Sequence, residues 1–259
     1  MDADLFVTHA RMEDAHWWFL GRRQILNAVL DACIPPERPS RLLDIGCGTG
    51  ANSAAFAGNF TVVGVEPSEP AVAMARKRFP DITFVGGLAP DDVMDEARRT
   101  DVFLLSDVLE HVEHDRSMVE RLVSVAKPGA LFLTTVPANQ DLWTEHDVSH
   151  GHFRRYTLES YGALWSGLPV DIRLLSYYNS RLYPVVYGLR RLHQLRKKPA
   201  SHNDTDLSLP AAAVNRTLQA IFAGEARKLV RQIGQRGSAY RRGVSLIGLF
   251  EKKVARANA

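Results

Sequence analysis

Arg41-Leu-Leu-Asp44-Ile-Gly46-Cys47-Gly48-Thr-Gly50 is the stretch on which the reading of this chain turns. Leu42, Leu43 and Ile45 make a short apolar strand with Asp44 near its end, and three alternate glycines follow at once. Ala51 then opens a run of small residues, Ala-Asn-Ser-Ala-Ala-Phe-Ala, suited to a helix. A strand that passes through glycines into a helix presents backbone N–H groups to a ligand at the edge of an α/β sheet. The next acid at a strand end is Glu66, closing Phe60-Thr-Val-Val-Gly-Val-Glu66. A carboxylate there can accept both hydroxyls of a ribose.

Two cofactor types fit that pairing. A dinucleotide site asks for Gly-x-Gly-x-x-Gly, whereas Gly48-Thr-Gly50-Ala-Asn-Ser53 ends in serine. The spacing is instead Asp-x-Gly-x-Gly-x-Gly, and an acid before the first glycine repels a pyrophosphate but suits the ammonium end of S-adenosylmethionine. The chain resembles the class I S-adenosylmethionine-dependent methyltransferases, whose first motif Leu42 to Gly50 matches without a gap. Asp101-Val-Phe-Leu-Leu-Ser106 followed by Asp107-Val-Leu-Glu110-His111 is similar to that family's fourth strand and its continuation. Lys127-Pro-Gly-Ala130 running into Leu-Phe-Leu-Thr-Thr-Val136-Pro137 is similar to its turn into the fifth.

Strands and helices alternate from residue 41 to about 136, which argues for a parallel sheet with crossover helices. Strands are expected at 41–46, 61–66, 82–85, 101–106 and 130–136, and helices at 51–58, 69–78, 90–98 and 113–126. Two more strands, 171–177 and 244–250, would by resemblance form the antiparallel pair that closes the sheet. The fold class is therefore α/β, a Rossmann-like doubly wound sheet of seven strands, mostly parallel with the last antiparallel. The 66 residues from Tyr178 to Gly243 exceed any hairpin and read as helices over 181–195 and 215–233 around a polar stretch at 198–210. The expected organisation is an N-terminal helical segment (1–40), a core domain (41–178 and 243–259) and a helical insertion or cap (179–242).

Composition is that of an ordinary globular chain long enough for a full core. Cys33 and Cys47 make no disulfide framework or metal motif. The start, Met-Asp-Ala-Asp-Leu-Phe, lacks the basic opening and apolar core expected of a signal peptide, and a cytoplasmic protein is expected. Net charge is +3, but Arg181, Arg190, Arg191, Arg196, Lys197 and Lys198 lie in twenty residues free of acids. A basic C-terminal half could face an anionic acceptor, a membrane surface or nucleic acid. Nucleic acid is disfavoured, because Ser106-Asp107-Val-Leu stands where base-modifying relatives carry an Asn/Asp-Pro-Pro-aromatic motif.

By resemblance, the cofactor would be held by Asp44, Gly46, Cys47, Gly48, Gly50, Glu66 and Pro67, with Gly87, Leu88, Ser106 and Asp107 completing the pocket. Leu88 replaces the acid that relatives place against the adenine amino group. The aromatic run His16-Trp17-Trp18-Phe19 cannot all face one way, so some rings must meet a ligand or a second element; by resemblance the Trp-rich N-terminal helix, with Trp18, is expected to close over the cofactor. The segment Glu145-His146-Asp147-Val-Ser-His150-Gly-His152-Phe-Arg154-Arg155-Tyr156 follows the fifth strand, at the sheet edge where such folds bind ligands. His146 or His150, with Asp107 as reserve, is expected as the base, and His152, Arg154, Arg155, Tyr156, Tyr178 and Asn179 as acceptor contacts. No metal is expected, since no second cluster completes a ligand set, and Glu110 and His111 read as structural. The expected activity is transfer of a methyl group to a small-molecule hydroxyl, leaving S-adenosylhomocysteine. The alternatives are nucleic-acid, N- or C-methylation, a non-catalytic cofactor-binding protein, and a nicotinamide oxidoreductase.

Overall fold

A computed structural model describes residues 7, 10–35, 37–195 and 208–254, with backbone alone for 146 and 192–195. The expected loop at 198–210 lies outside it up to residue 207, as do Arg196, Lys197 and Lys198.

Seven strands form one sheet: β1 (Arg41–Ile45), β2 (Thr61–Glu66), β3 (Thr83–Gly86), β4 (Val102–Ser106), β5 (Leu131–Pro137), β6 (Val170–Tyr178) and β7 (Ser245–Lys252). Their order across the sheet is β3-β2-β1-β4-β5-β7-β6. The first five pair in parallel, and β7 runs antiparallel to both β5 and β6. Because the order reverses between β1 and β4, the crossover helices go to opposite faces and leave a crevice at the carboxyl ends of these strands.

The period-2 alternation of each strand sorts its side chains into two cores. Leu43, Ile45, Phe103, Leu105 and Phe132 face one layer, with Val119, Leu122, Val123, Tyr161 and Trp165 packed on them. Leu42, Val62, Val102, Leu104 and Leu133 face the other, covered by Ile25, Leu26, Phe56, Phe222 and Leu229.

That second layer draws on both ends of the chain. The N-terminal helix Trp17–Asp31 packs beside the inserted helices Ala212–Ala223 and Ala226–Gln232. Asn215 clamps its start, accepting from Trp17 N at 2.9 Å and donating to Ala15 O at 2.8 Å. The helix expected across 215–233 is broken in two near Gly224. There the buried Glu225 accepts the backbone N–H groups of Ser180 and Arg181, both at 2.8 Å, and so fixes where the chain leaves β6. The remaining inserted helix, Tyr183–Leu195, sends Val186, Leu189 and Arg190 towards the crevice. Among the described residues no helix is long and apolar enough to cross a membrane.

Candidate active site

The crevice is a cavity of about 1030 Å³ at the carboxyl ends of β1, β2 and β4. The turn after β1 forms its floor. Gly46 has φ +66°, and a Cβ there would lie 2.8 Å from Val108 Cγ2, so both conformation and space demand glycine. Gly46 N and Cys47 N donate to Val65 O at 2.8 and 3.2 Å, tying the turn to β2. Glu66 then locks it: its carboxylate accepts from Gly48 N at 3.1 Å and Ser68 N at 3.0 Å while bordering the cavity. A carboxylate held by two backbone donors beside a glycine turn fits the ribose of an adenosyl cofactor. Pro67, Gly87, Leu88, Ser106 and Trp18 border the same cavity.

Asp44 and Gly50, also expected at the cofactor, do not line it. Asp44 is buried behind the turn and accepts from Ser53 Oγ at 2.6 Å. Burial pushes its carboxyl up to about 7, against the opposing effects of Ser53 and Arg22. Gly50 serves the turn instead, capping the helix Ala51–Phe56 in the left-handed region at φ +88°.

The N-terminal helix covers one side. His16 caps it, its Nδ1 accepting from Trp18 N at 3.3 Å. The three aromatic rings divide as their spacing requires: Trp17 meets Phe222 edge-on, Phe19 is buried, and Trp18 carries the Arg22 guanidinium 4.3 Å above its ring. Arg22 is also ion-paired with Asp107, which has φ +58° and accepts from Thr135 Oγ1 at 3.0 Å. Asp107 therefore borders the cavity as the partner of a buried guanidinium, which corrects the expectation that it could serve as a free base. Farther along, Glu13 bonds to Thr49 of the glycine turn and to Arg78, so the segment before the helix is latched onto the floor.

The opposite wall joins residues that lie far apart in sequence. Phe153 N donates to Glu110 O at 2.8 Å, holding the loop after β5 against the turn Leu109–His111. Glu110, His111, His150 and His152 all line the cavity. The His111 and His152 rings meet edge-on with centroids 4.6 Å apart. Burial, then the nearby His152, holds the His111 imidazole down at about 4. Glu110 is fully buried, and burial with Asp107 close by pushes its carboxyl well above the usual range. Behind them Asp147 accepts from His152 Nδ1 at 2.9 Å and from Arg155 Nε and Nη2 at 2.8 and 3.0 Å. Burial alone would raise Asp147, but His152 and Arg155 keep it well below the usual carboxylate range.

Several expected acceptor contacts are absorbed by the scaffold. Tyr156 is buried, donating to Leu109 O at 3.0 Å and Asp115 Oδ2 at 2.8 Å. Arg154 pairs with Asp115 at 2.7 Å and turns away from the cavity. Tyr178 has no exposed surface and packs on Phe222, whereas its neighbour Asn179 borders the cavity. Arg155 borders it too, committed to Asp147. His146 lies in the short helix Glu145–Ser149, its side chain outside what is described. The sequence reading missed Arg22 and took Glu110 and His111 as structural. Position just past the fourth strand was the available signal for the latter two, while nothing local marks Arg22 as a partner of Asp107.

Residues 18–181 match the family model of a methyltransferase domain. The trans-aconitate 2-methyltransferase of Deinococcus radiodurans is 29% identical over 197 residues, 67% of this chain and 73% of that protein. A ubiquinone biosynthesis O-methyltransferase of Vibrio vulnificus is 30% identical over 105 residues, covering 38% of this chain and 45% of its own length. The aligned part thus spans less than half of that second relative. Among solved structures, the putative methyltransferase complexed with the Haloferax volcanii Trm112 activator superposes with a TM-score of 0.59 at 17% identity, covering 98% of this chain and 97% of that one. The plantazolicin methyltransferase BpumL in complex with SAH gives 0.57 at 15% identity, over 98% and 91%. At such identities the likeness is one of fold.

Proposed function

The chain belongs to the methyltransferase family and depends on S-adenosylmethionine, and from that premise we propose that it methylates an oxygen of a small-molecule acceptor. One observation carries the reading: a single cavity has the glycine turn and Glu66 on one side and the Glu110, His111, His150 and His152 wall on the other. In this reading the turn from Gly46 to Gly48, with Glu66, Pro67, Leu88 and Trp18, holds the cofactor. When bound, it supplies an electrophilic methyl carbon on a sulfonium. The chain's own work is to align an acceptor oxygen with that carbon, exclude water and take up a proton.

His150 is the residue assigned to the proton. It borders the cavity, and its Nδ1 lies 3.2 Å from Ser149 Oγ, which orients the ring. Trp17, Trp18, Val186 and Leu189 offer the acceptor an apolar surface, so a molecule with an oxygen-bearing end and an apolar body suits the space. The names of the relatives, an organic-acid and a quinone-pathway methyltransferase, agree with that chemistry. The helix Tyr183–Leu195 would close the mouth over it.

The test pairs calorimetric titration with S-adenosylhomocysteine and a screen of hydroxy acids and phenols for methyl transfer. His150→Gln should lower turnover by about 10²–10⁴-fold with cofactor affinity intact. Transfer to an amine or carbon acceptor with no oxygen product would overturn the oxygen assignment. Binding of a nicotinamide cofactor in place of S-adenosylhomocysteine would overturn the whole reading.

A further inference from the structure

The wall of histidines carries more than one proton acceptor requires. Glu110 has no exposed surface, and neither carboxylate oxygen has a hydrogen-bond partner beyond its own backbone N–H. A buried carboxyl group without a partner keeps its proton unless it meets a cation, because the bare carboxylate is costly there. Arg22 and Arg155, the nearby guanidiniums, are paired with Asp107 and Asp147. What Glu110 does face is His111 and His152: one ligand atom from each of the three lies within 4.8 Å of the others.

We propose that Glu110, His111 and His152 form a divalent-cation site in the wall of the cavity. Bonds of about 2.0–2.2 Å would draw the three ligand atoms from within 4.8 Å to roughly 3–3.5 Å apart, a contraction of at most roughly 1–2 Å that side-chain rotation would supply. His152 is already prepared as such ligands are. Its Nδ1 lies 2.9 Å from the Asp147 carboxylate, which Arg155 holds with two bonds, and a neutral ring donating from Nδ1 to that carboxylate would offer Nε2 to the ion. Phe153 N bonded to Glu110 O keeps the loop carrying His152 against the turn carrying the other two.

Two imidazoles and one carboxylate suit zinc, ferrous iron, manganese or cobalt, and not magnesium or calcium, which prefer oxygen throughout. Three protein ligands leave coordination positions open, and all three residues border the cavity. On the oxygen-methylation reading above, those positions would take an acceptor that chelates through adjacent oxygens, such as a catechol or a 2-hydroxy acid.

The test uses the full chain, stripped with EDTA and desalted, with Co²⁺ as the visible probe and Zn²⁺ by calorimetry. One equivalent of each should bind, Co²⁺ showing d–d absorption. Glu110→Gln and His152→Asn should weaken binding at least tenfold, and Asp147→Asn by about 10–100-fold. His114→Gln, elsewhere on the cavity wall, should leave it unchanged. S-adenosylhomocysteine titration of the same samples reports that each variant is folded. A wild-type chain that binds S-adenosylhomocysteine but takes up no stoichiometric Co²⁺ overturns the cation site alone. So do folded Glu110 and His152 variants that hold Co²⁺ as tightly as wild type. A chain that takes up Co²⁺ but no S-adenosylhomocysteine keeps the cation site and removes the methyl-transfer reading.

Discussion

Arg22 of the N-terminal helix and Asp107, just past the end of β4, are ion-paired across 85 residues of sequence. Their side chains are 5% and 20% exposed, and Trp18 lies beneath the guanidinium. Removing one partner strands the other in the wall of the cavity. Arg22→Met should cost about 3 kcal/mol in urea unfolding and weaken S-adenosylhomocysteine binding as Trp18 loses its cation. The Arg22→Met/Asp107→Asn double variant should be clearly more stable than the sum of the single losses. Simple additivity would show that the two do not interact.

Glu66 joins β2 to the glycine turn and borders the cavity at once. Glu66→Ala should weaken S-adenosylhomocysteine binding by about 1–3 kcal/mol through lost hydrogen bonds. Calorimetry giving an unchanged dissociation constant would remove Glu66 from the site.

Asp44 sets a pH dependence of stability. Burial raises its folded-state value to about 7 from 3.8, so the folded protein holds its proton over a range in which the unfolded chain has lost it. Stability is then greatest below about pH 4, falls as pH rises towards 7 and is flat above, by up to about 4 kcal/mol. The depressed Asp147 contributes in the opposite direction at lower pH, where its stabilisation is lost as pH falls. The difference between wild type and Asp44→Asn isolates the first effect: it should grow in the variant's favour from pH 5 to 8. Parallel curves would contradict it.

Phe222 is fully buried between Trp17 and Tyr178, and a Cβ on Gly21 would come within 2.7 Å of its ring. Phe222→Ala should destabilise by about 3–5 kcal/mol and Gly21→Ala by about 1–3 kcal/mol. Thermal melts with no shift in either variant would mean that the inserted helix is not docked as described.

The helix Tyr183–Leu195 leaves Val185 and Leu189 60% and 54% exposed, unlike β4, whose Val102 to Leu105 are fully buried. Its amides should exchange with solvent faster than those of β4, and slow when S-adenosylhomocysteine and an acceptor are both present. Equal protection in all states would argue against a closing role.

The sheet was legible in the sequence because its signals are local. A strand running into alternate glycines, apolar runs of strand length and small-residue helices depend on neighbours a few positions away, and Arg41 to Gly50 formed the expected strand and turn. The site was legible only as far as those signals reach: Glu66 and Gly48, read from the motif, are bonded to each other and border the cavity. Which side chain turns inward at the end of a strand is decided by packing, and so Tyr178 entered the core while Asn179 reached the cavity. Charge partners were hidden for the same reason. Arg22 needed Asp107 to be folded against it, and Tyr156 and Arg154 were claimed by Asp115. Glu110 and His152 lie forty-two positions apart with nothing between them to mark a pair. Only the tertiary structure brings their ligand atoms together, because the loop after β5 folds back onto the turn after β4.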